Sequence, residues 1–482
     1  MKTTKQILSI LLLIAMILTA AACGSGGEKK TVISDTTAAE TAAEEEGEKE
    51  IPDDLPAADF EGYVFRIGVT NVNSLDKQVI VETETGDVVD DAVYTSNVMV
   101  EERFNVDLKA LIVAEATDVN IVKAAVLAGE DAYDLFTSHD ISMGNVALEG
   151  IFRNVRALPY LDFSKPWWPE HTVDSLTVND CMVLFANYNS YDNLYQTRAT
   201  FVNMDIIADY GMEMPYGMVD DGSWTLDALF GMAENVYDDV NGNAERDEED
   251  IYGMSTTHSM YATQESFGIT PIIKDEEGRL IFDIYNEKTI TLVEKFYRFL
   301  FETQGGHVRK TDLNKMFVAG KSMTLFTPLS ICTTALRDTE VDYGILPMPK
   351  FDEAQDGYIS GSTARPFGVP LTAQNDERLG IITEAMSAYG YKIIRPAYFE
   401  IALKDKYSYD IDSKRMLTII GDNIILDFSY IFSNYGGFSW TLMKMMENKT
   451  TDFASWYDTN YPAAQKQLEK VQAYFDRLAD EM

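Results

Sequence analysis

Residues 221–254 read DGSWTLDALFGMAENVYDDVNGNAERDEEDIYGM. Thr225 is a good helix N-cap, and Asp227 puts negative charge in the first turn, where the helix dipole favours it. Leu226, Leu229, Phe230, Ala233, Val236 and Tyr237 then recur at helical spacing and predict one apolar stripe. An acidic loop follows. Ile251, Tyr252 and Gly253 then lead the chain back toward a core.

Side-chain oxygens fall at alternate positions of that loop: Asp239, Asn241, Asn243, Asp247 and then Asp250. This is the spacing of an EF-hand-type calcium loop, in which alternate residues and a carboxylate at the twelfth position wrap one cation. The Glu245 backbone carbonyl takes the seventh position. Two departures weigh against it. Ala244 stands at the sixth position, where glycine is preferred, and the twelfth carboxylate is the shorter Asp250. A structural Ca2+ is one expectation for the loop, a solvated acidic turn the other. No cofactor for chemistry is expected.

A Trp-Thr helix start, an amphipathic helix, an Asp/Asn loop and a Tyr-Gly, in that order, resemble family 1 extracellular solute-binding proteins, the substrate-capturing lipoproteins of ABC importers. The alginate-oligosaccharide binders of that group carry a similar calcium loop at a similar place. MFVAGKSMTLF, from Met316, is similar to the family's Phe-x-x-Gly-Lys segment, where a helix ends and a strand returns to the first lobe. VDYGILPMPKFDEAQDGYIS, from Val341, is similar to its Tyr-Gly-Ile-Leu-Pro-x-Pro-Lys segment. The resemblance implies an α/β, two-lobed periplasmic-binding-protein-like fold of type II. Each lobe would be a mainly parallel sheet flanked by helices, with a hinge between them. Residues 62–185 and 318–366 would form the first lobe, and 186–317 and 367–482 the second.

At the start of the chain, Lys2 and Lys5 precede an apolar run from Ile7 to Leu18, and Ala20, Ala21 and Ala22 lead to Cys23. This reads as a secretory signal over residues 1–22. The cysteine resembles that of a lipobox, which implies diacylation of its thiol and a lipid anchor on the extracytoplasmic face of the cell membrane. Residues 23–61, rich in Ala, Thr and Glu, cannot bury enough surface to offset their ordering entropy and read as a disordered acidic tether.

The rest, roughly 420 residues, is long enough for two domains. A formal charge of −39 argues against nucleic acid as a partner. Cys181 and Cys332 sit in apolar surroundings and read as buried free thiols rather than a disulfide framework. His139, His171, His258 and His307 are scattered without zinc-ligand spacing, and neither a nucleophile elbow nor a dinucleotide fingerprint occurs.

Strand and helix patterns alternate from Tyr63 to Asp140, the signature of a parallel sheet. Ligands bind beyond the carboxyl ends of such strands, which singles out Asn71, Asn73 and Asp140. In maltose-binding proteins, which this segment also resembles, a strand ends in a similar His-Asp and the aspartate bonds sugar hydroxyls. Tyr188 and Tyr191 fall near the first lobe crossing of the family, and Trp440 lies in a glycine loop. Aromatic faces of this kind stack on sugar C–H groups. The resemblance thus implies a monomeric non-enzyme that captures a carbohydrate and hands it to ABC permease subunits. The alternatives are a secreted glycosidase-like enzyme, which needs two carboxylates at a set separation, and a ligand-sensing lipoprotein.

Overall fold

The computed structural model describes residues 51–115, 118–257, 260–309, 312–337, 339–403, 411–432 and 434–481. The signal segment, Cys23 and His258 lie outside them. Residues 53–482 cluster as one compact unit. Apart from a separate hairpin of Ile272–Lys274 with Leu280–Phe282, the strands of the described residues are β1 (Tyr63–Asn71), β2 (Val106–Glu115), β3 (Leu135–Thr137), β4 (Arg198–Asn203), β5 (Tyr237–Asp238), β6 (Ile251–Thr257), β7 (Gly306–Arg309), β8 (Ser322–Pro328), β9 (Tyr343–Leu346), β10 (Ser360–Gly361), β11 (Phe367–Gly368) and β12 (Ile424–Ile425).

The first sheet has the order β11-β3-β1-β2. β1 runs parallel to β2 (Tyr63 opposite Val106) and to β3 (Ile67 opposite Leu135). The helix Val88–Phe104 makes the crossover between β1 and β2. Asp87 caps it, accepting from Val89 N and Asp90 N, and Asn105 ends it in the left-handed region at φ 51°. β3 is buried throughout, as a strand covered on both faces must be.

The second sheet has the order β9-β4-β8-β6-β5, with β7 also on β6. It is mixed. β8 and β9 are antiparallel to β4, whereas β6 is parallel to both β8 and β7. The two-lobed α/β class is therefore the one expected, but only the first sheet is mainly parallel.

Two expected lobe assignments differ from the strand register. Ser322–Pro328 and Tyr343–Leu346, expected with the first sheet, pair with β4 and β6 in the second. Phe367–Gly368, expected to enter the second lobe, pairs with β3 in the first. The helix Asp376–Tyr389 follows it there. Its Arg378 guanidinium lies 3.4 Å from the centre of the Tyr63 ring and 3.7 Å from buried Asp134. Periodicity marks a buried strand but carries no record of which sheet buries it.

The expected tether is also shorter on its folded side. From Asp53 onward the chain is fixed to the first lobe. Asp53 pairs with Arg103 at 2.5 Å, Asp59 accepts from Asn105 Nδ2 at 2.8 Å, and Phe60 packs on Phe104.

The helix capped by Thr225, which accepts from Ala228 N, spans Leu226–Ala233. The predicted stripe overran it. Tyr237 and Asp238 instead pair antiparallel with Tyr252 and Ile251, so the acidic loop closes a hairpin. Cys181 and Cys332 are both buried, and among the described residues neither is in a disulfide. The expected strand 181–186 is buried but forms only isolated bridges, Val178–Cys181 and Phe185–Phe367.

Candidate functional site

Two stretches carry the chain between the sheets side by side. Phe185 bridges Phe367, and Thr197 bridges Ser362. Between these bridges, Asp192 accepts from Arg365 N at 2.7 Å and Arg365 Nη1 at 2.6 Å. The two side chains are 1% and 9% exposed. Burial raises the Asp192 proton affinity, and Arg365 opposes that shift. Opposed charges out of water thus fasten the two crossings to each other.

Beside the crossings lies a polar cluster built from both lobes. The first contributes Asp140, 4% exposed, at the start of the helix after β3. It lies 2.8 Å from His139 Nδ1, an interaction that raises the histidine's proton affinity. Asp140 also accepts from the Tyr430 hydroxyl; burial first, then this charge, raises the phenol's pKa. The helix Phe428–Ile431 reaches Asp140 because Gly144 leaves room. A Cβ on Gly144 would stand 1.9 Å from the Ile431 carbonyl oxygen.

The second lobe contributes Arg198 at the start of β4, together with Tyr261 and Glu265 from the segment after β6. Glu265 is 1% exposed, and neither of its oxygens has a donor from another residue. Burial raises its proton affinity well above the carboxylate range. The Asp427 charge adds to the shift, while its own backbone N–H and Arg198 oppose it. Asp427 shifts upward as well, chiefly by burial, although Ser429 Oγ and Tyr430 N donate to it. Arg198 is pushed down to about 10 by burial, against the pull of Tyr430, Glu265 and Tyr261.

Trp440 closes one side of the cluster. Its ring meets Tyr261 at 5.8 Å and Tyr430 at 6.5 Å, both edge-on. Its Nε1 is buried without an acceptor. Arg198 Nε and the side-chain amides of Asn189 and Asn193 are likewise buried and unpartnered. Buried polar groups are ordinarily hydrogen-bonded. Orphaned polar atoms on Glu265, Arg198 and Trp440, framed by an indole and two phenols, suit a polyhydroxylated ligand.

Asn71 and Asn73 lie at the exposed end of β1, level with the residues that follow β3. Asn73 has φ 50°, and its carbonyl accepts from Gln78 Nε2. Asp140 and Trp440 come together through Tyr430. Tyr188 does not join them: it is 2% exposed, its hydroxyl donates to Gly421 O at 3.1 Å and its ring packs on Tyr391. Tyr191 packs against Tyr195 and Tyr398 and lines a separate cavity of about 360 Å³ with Asp87, Asp90 and Arg337. Glu265, Arg198, Asp427 and Tyr430 were not singled out from the sequence. Each is an isolated polar residue in a loop or at an element end, and no spacing marks it.

In the acidic loop, Asp239 accepts from Gly242 N, Asn243 N and Ala244 N. Ala244 takes the left-handed conformation at φ 61° that the sixth position of a calcium loop requires. Asp250 is fully buried; Tyr237 OH and Asp247 N donate to its Oδ2, while Oδ1 is orphaned. Asn241 and Asn243 turn their amide nitrogens toward Asp247. Among the described residues, no three carboxylate, histidine or cysteine side chains converge as a metal group. The Glu245 side chain is exposed.

No protein-family model matches this chain, and no curated protein matches it. Solved structures do match in fold. A cyclo/maltodextrin-binding protein complexed with maltotetraose superposes with a TM-score of 0.54 at 12% identity, over 88% of this chain and 98% of its own. A sugar transporter from Rhizobium etli in an open conformation gives 0.54 at 12%, over 86% and 100%. The GacH receptor of Streptomyces glaucescens, solved unliganded and with acarbose, gives 0.50 at 13%, over 87% and 99%.

Proposed function

We propose that this chain, built on the two-lobed fold it shares with sugar-binding proteins, captures a carbohydrate of oligosaccharide size and delivers it to an ABC importer without altering it. The observation that carries this reading is the buried cluster joining Asp140, Tyr430, Glu265, Arg198 and Trp440, with its orphaned donors and acceptors. The same groups are shut away from solvent, so a ligand enters when the lobes part about the paired crossings and is enclosed when they close.

Titration calorimetry of the purified protein with a panel of oligosaccharides tests the reading. Binding without new products is expected. Asp140→Ala should weaken it by about 1.5–3 kcal/mol, the worth of a charged hydrogen-bond partner. Trp440→Ala should weaken it too while circular dichroism stays unchanged. Binding of peptides alone, or hydrolysis of the sugar, overturns the proposal. Loss of sugar uptake on deleting the gene supports the importer role; intact uptake with a lost transcriptional response to the sugar indicates a sensor.

Export and anchoring through Cys23 complete the proposal. No helix among the described residues is long and apolar enough to cross a membrane. Cys23→Ala is expected to abolish labelling by a fatty-acid probe, because only the thiol accepts the lipid; equal labelling of the variant removes the anchor from the reading.

The acidic loop is proposed to hold Ca2+. The orphaned Asp250 oxygen and the Ala244 conformation support a fit, and turning the two Asn amides over would present their oxygens to the ion. Calcium at a hundred times its dissociation constant would stabilise the fold by about 2.7 kcal/mol. A chelator should therefore lower the Tm, and Asp250→Asn should remove the response. A Tm indifferent to both calcium and chelator leaves the loop a solvated turn.

A further inference from the structure

We infer that the ligand enclosed beside Trp440 carries a positively charged amine, seated against the Glu265 carboxylate. This rests on the carbohydrate reading of the same cluster and names the class: an amino sugar with a free amine, rather than a neutral or N-acylated one.

The argument is a balance of charge. Most ionisable groups around the cluster already have a partner. Asp192 is matched by Arg365, and Asp140 faces His139 Nδ1 at 2.8 Å and accepts from Tyr430. Glu265, Asp427 and Arg198 remain, two carboxylates against one guanidinium, with the phenols of Tyr430 and Tyr261 as neutral neighbours. Asp427 Oδ1 accepts from both the Ser429 hydroxyl and the Tyr430 N–H. Both Glu265 oxygens, in contrast, are buried with no donor from another residue. A buried ion without a counter-ion is costly, and such a group takes up a proton instead. A hydroxyl can bond to the resulting carboxylic acid and leaves it protonated. An ammonium group supplies the missing cation and up to three donors at once. The indole and phenol rings nearby suit the same ligand, because aromatic faces and edges accommodate both sugar C–H groups and cations.

Burial raises the proton affinity of Glu265, so seating an already protonated amine against it favours release of the proton it holds, whereas binding a neutral sugar does not.

The test compares three trisaccharide probes by titration calorimetry at about pH 6, where an aliphatic amine is charged: the trimer of glucosamine, its N-acetylated counterpart and maltotriose. Repeating the titrations in two buffers of different ionisation enthalpy counts the protons. The glucosamine trimer is expected to bind about tenfold or more tightly than either neutral probe, with proton release. Glu265→Gln should erase that preference, bringing the ratio of amine-probe to neutral-probe affinity to about one. If that variant does not fold, the relative affinities of the unsubstituted protein for the three probes decide. Equal or tighter binding of a neutral trimer overturns this inference and leaves the carbohydrate proposal standing. Binding of none of the three, when a wider sugar panel also fails, overturns both.

Discussion

Replacing Asp192 by alanine is expected to destabilise the protein by about 3–5 kcal/mol, the cost of leaving one member of a buried ion pair uncompensated. The partner left behind is Arg365, 9% exposed, whose Nη1 and backbone N–H both lose their acceptor. Arg365→Ala should cost a similar amount, because Asp192 would keep the backbone N–H at position 365 and a long 3.4 Å bond from Gln196 Nε2 but lose its buried counter-charge. Replacing both residues by apolar ones of similar volume should recover much of the loss, since desolvation opposes the attraction in the native pair. Chemical denaturation of the two single variants and the double variant checks this. A single variant losing under about 1 kcal/mol would show that the crossings do not depend on the pair. The pair lies between the bridges that join the two crossings, so if the lobes part there the single variants should change ligand affinity as well as stability.

Glu384→Ala is expected to cost roughly 2–6 kcal/mol, from two buried donors left unpaired at about 1–3 each. Glu384 sits in the helix Asp376–Tyr389 and accepts from Trp167 Nε1 at 2.6 Å and Trp168 Nε1 at 2.8 Å. Both indoles are almost wholly buried. The Lys165–Pro169 loop is thereby bound to a helix more than two hundred residues later in the chain. Its aromatic pair is a structural clamp rather than a ligand platform.

The same carboxyl gives stability a pH dependence. Burial lifts Glu384 to about 7, against the pull of both indole N–H groups. Its folded pKa thus lies above its unfolded value near 4.5, and the folded state holds the extra proton between the two. Stability should fall as pH rises through that window, by roughly 3 kcal/mol from this group, and level off above it. Glu265 and Asp427 shift the same way and add to the slope. The Tm of the unsubstituted protein should therefore be higher near pH 5 than near pH 8, and Glu384→Gln should flatten the difference without removing it. A slope identical in the two proteins would mean that Glu384 is ionised in the fold throughout.

Much of the local structure could be read from the residues. Thr225 as a cap and the strand from Tyr63 each follow from spacing within one element. So did the placing of Asn71, Asn73 and Asp140 at strand ends, since a parallel sheet presents its carboxyl edge on one side. Aromatic candidates fared unevenly. Trp440 meets the polar cluster, whereas the Tyr188 hydroxyl is taken by Gly421. An aromatic in a polar stretch looks the same in sequence whether it faces a ligand or a core.

The sequence by itself determined the alternation of strands and helices, and with it the α/β class, because hydrophobic period and capping act over a few residues. Only the tertiary structure decided that β8 and β9 join the second sheet while β11 returns to the first, since strand pairing is a contact between distant segments. It alone also brought Glu265, Asp427 and Arg198 together around Trp440, and Asp192 against Arg365. Charge balance in a buried site is a property of neighbours in space. These neighbours stand tens to hundreds of residues apart in the chain, so no local pattern records it.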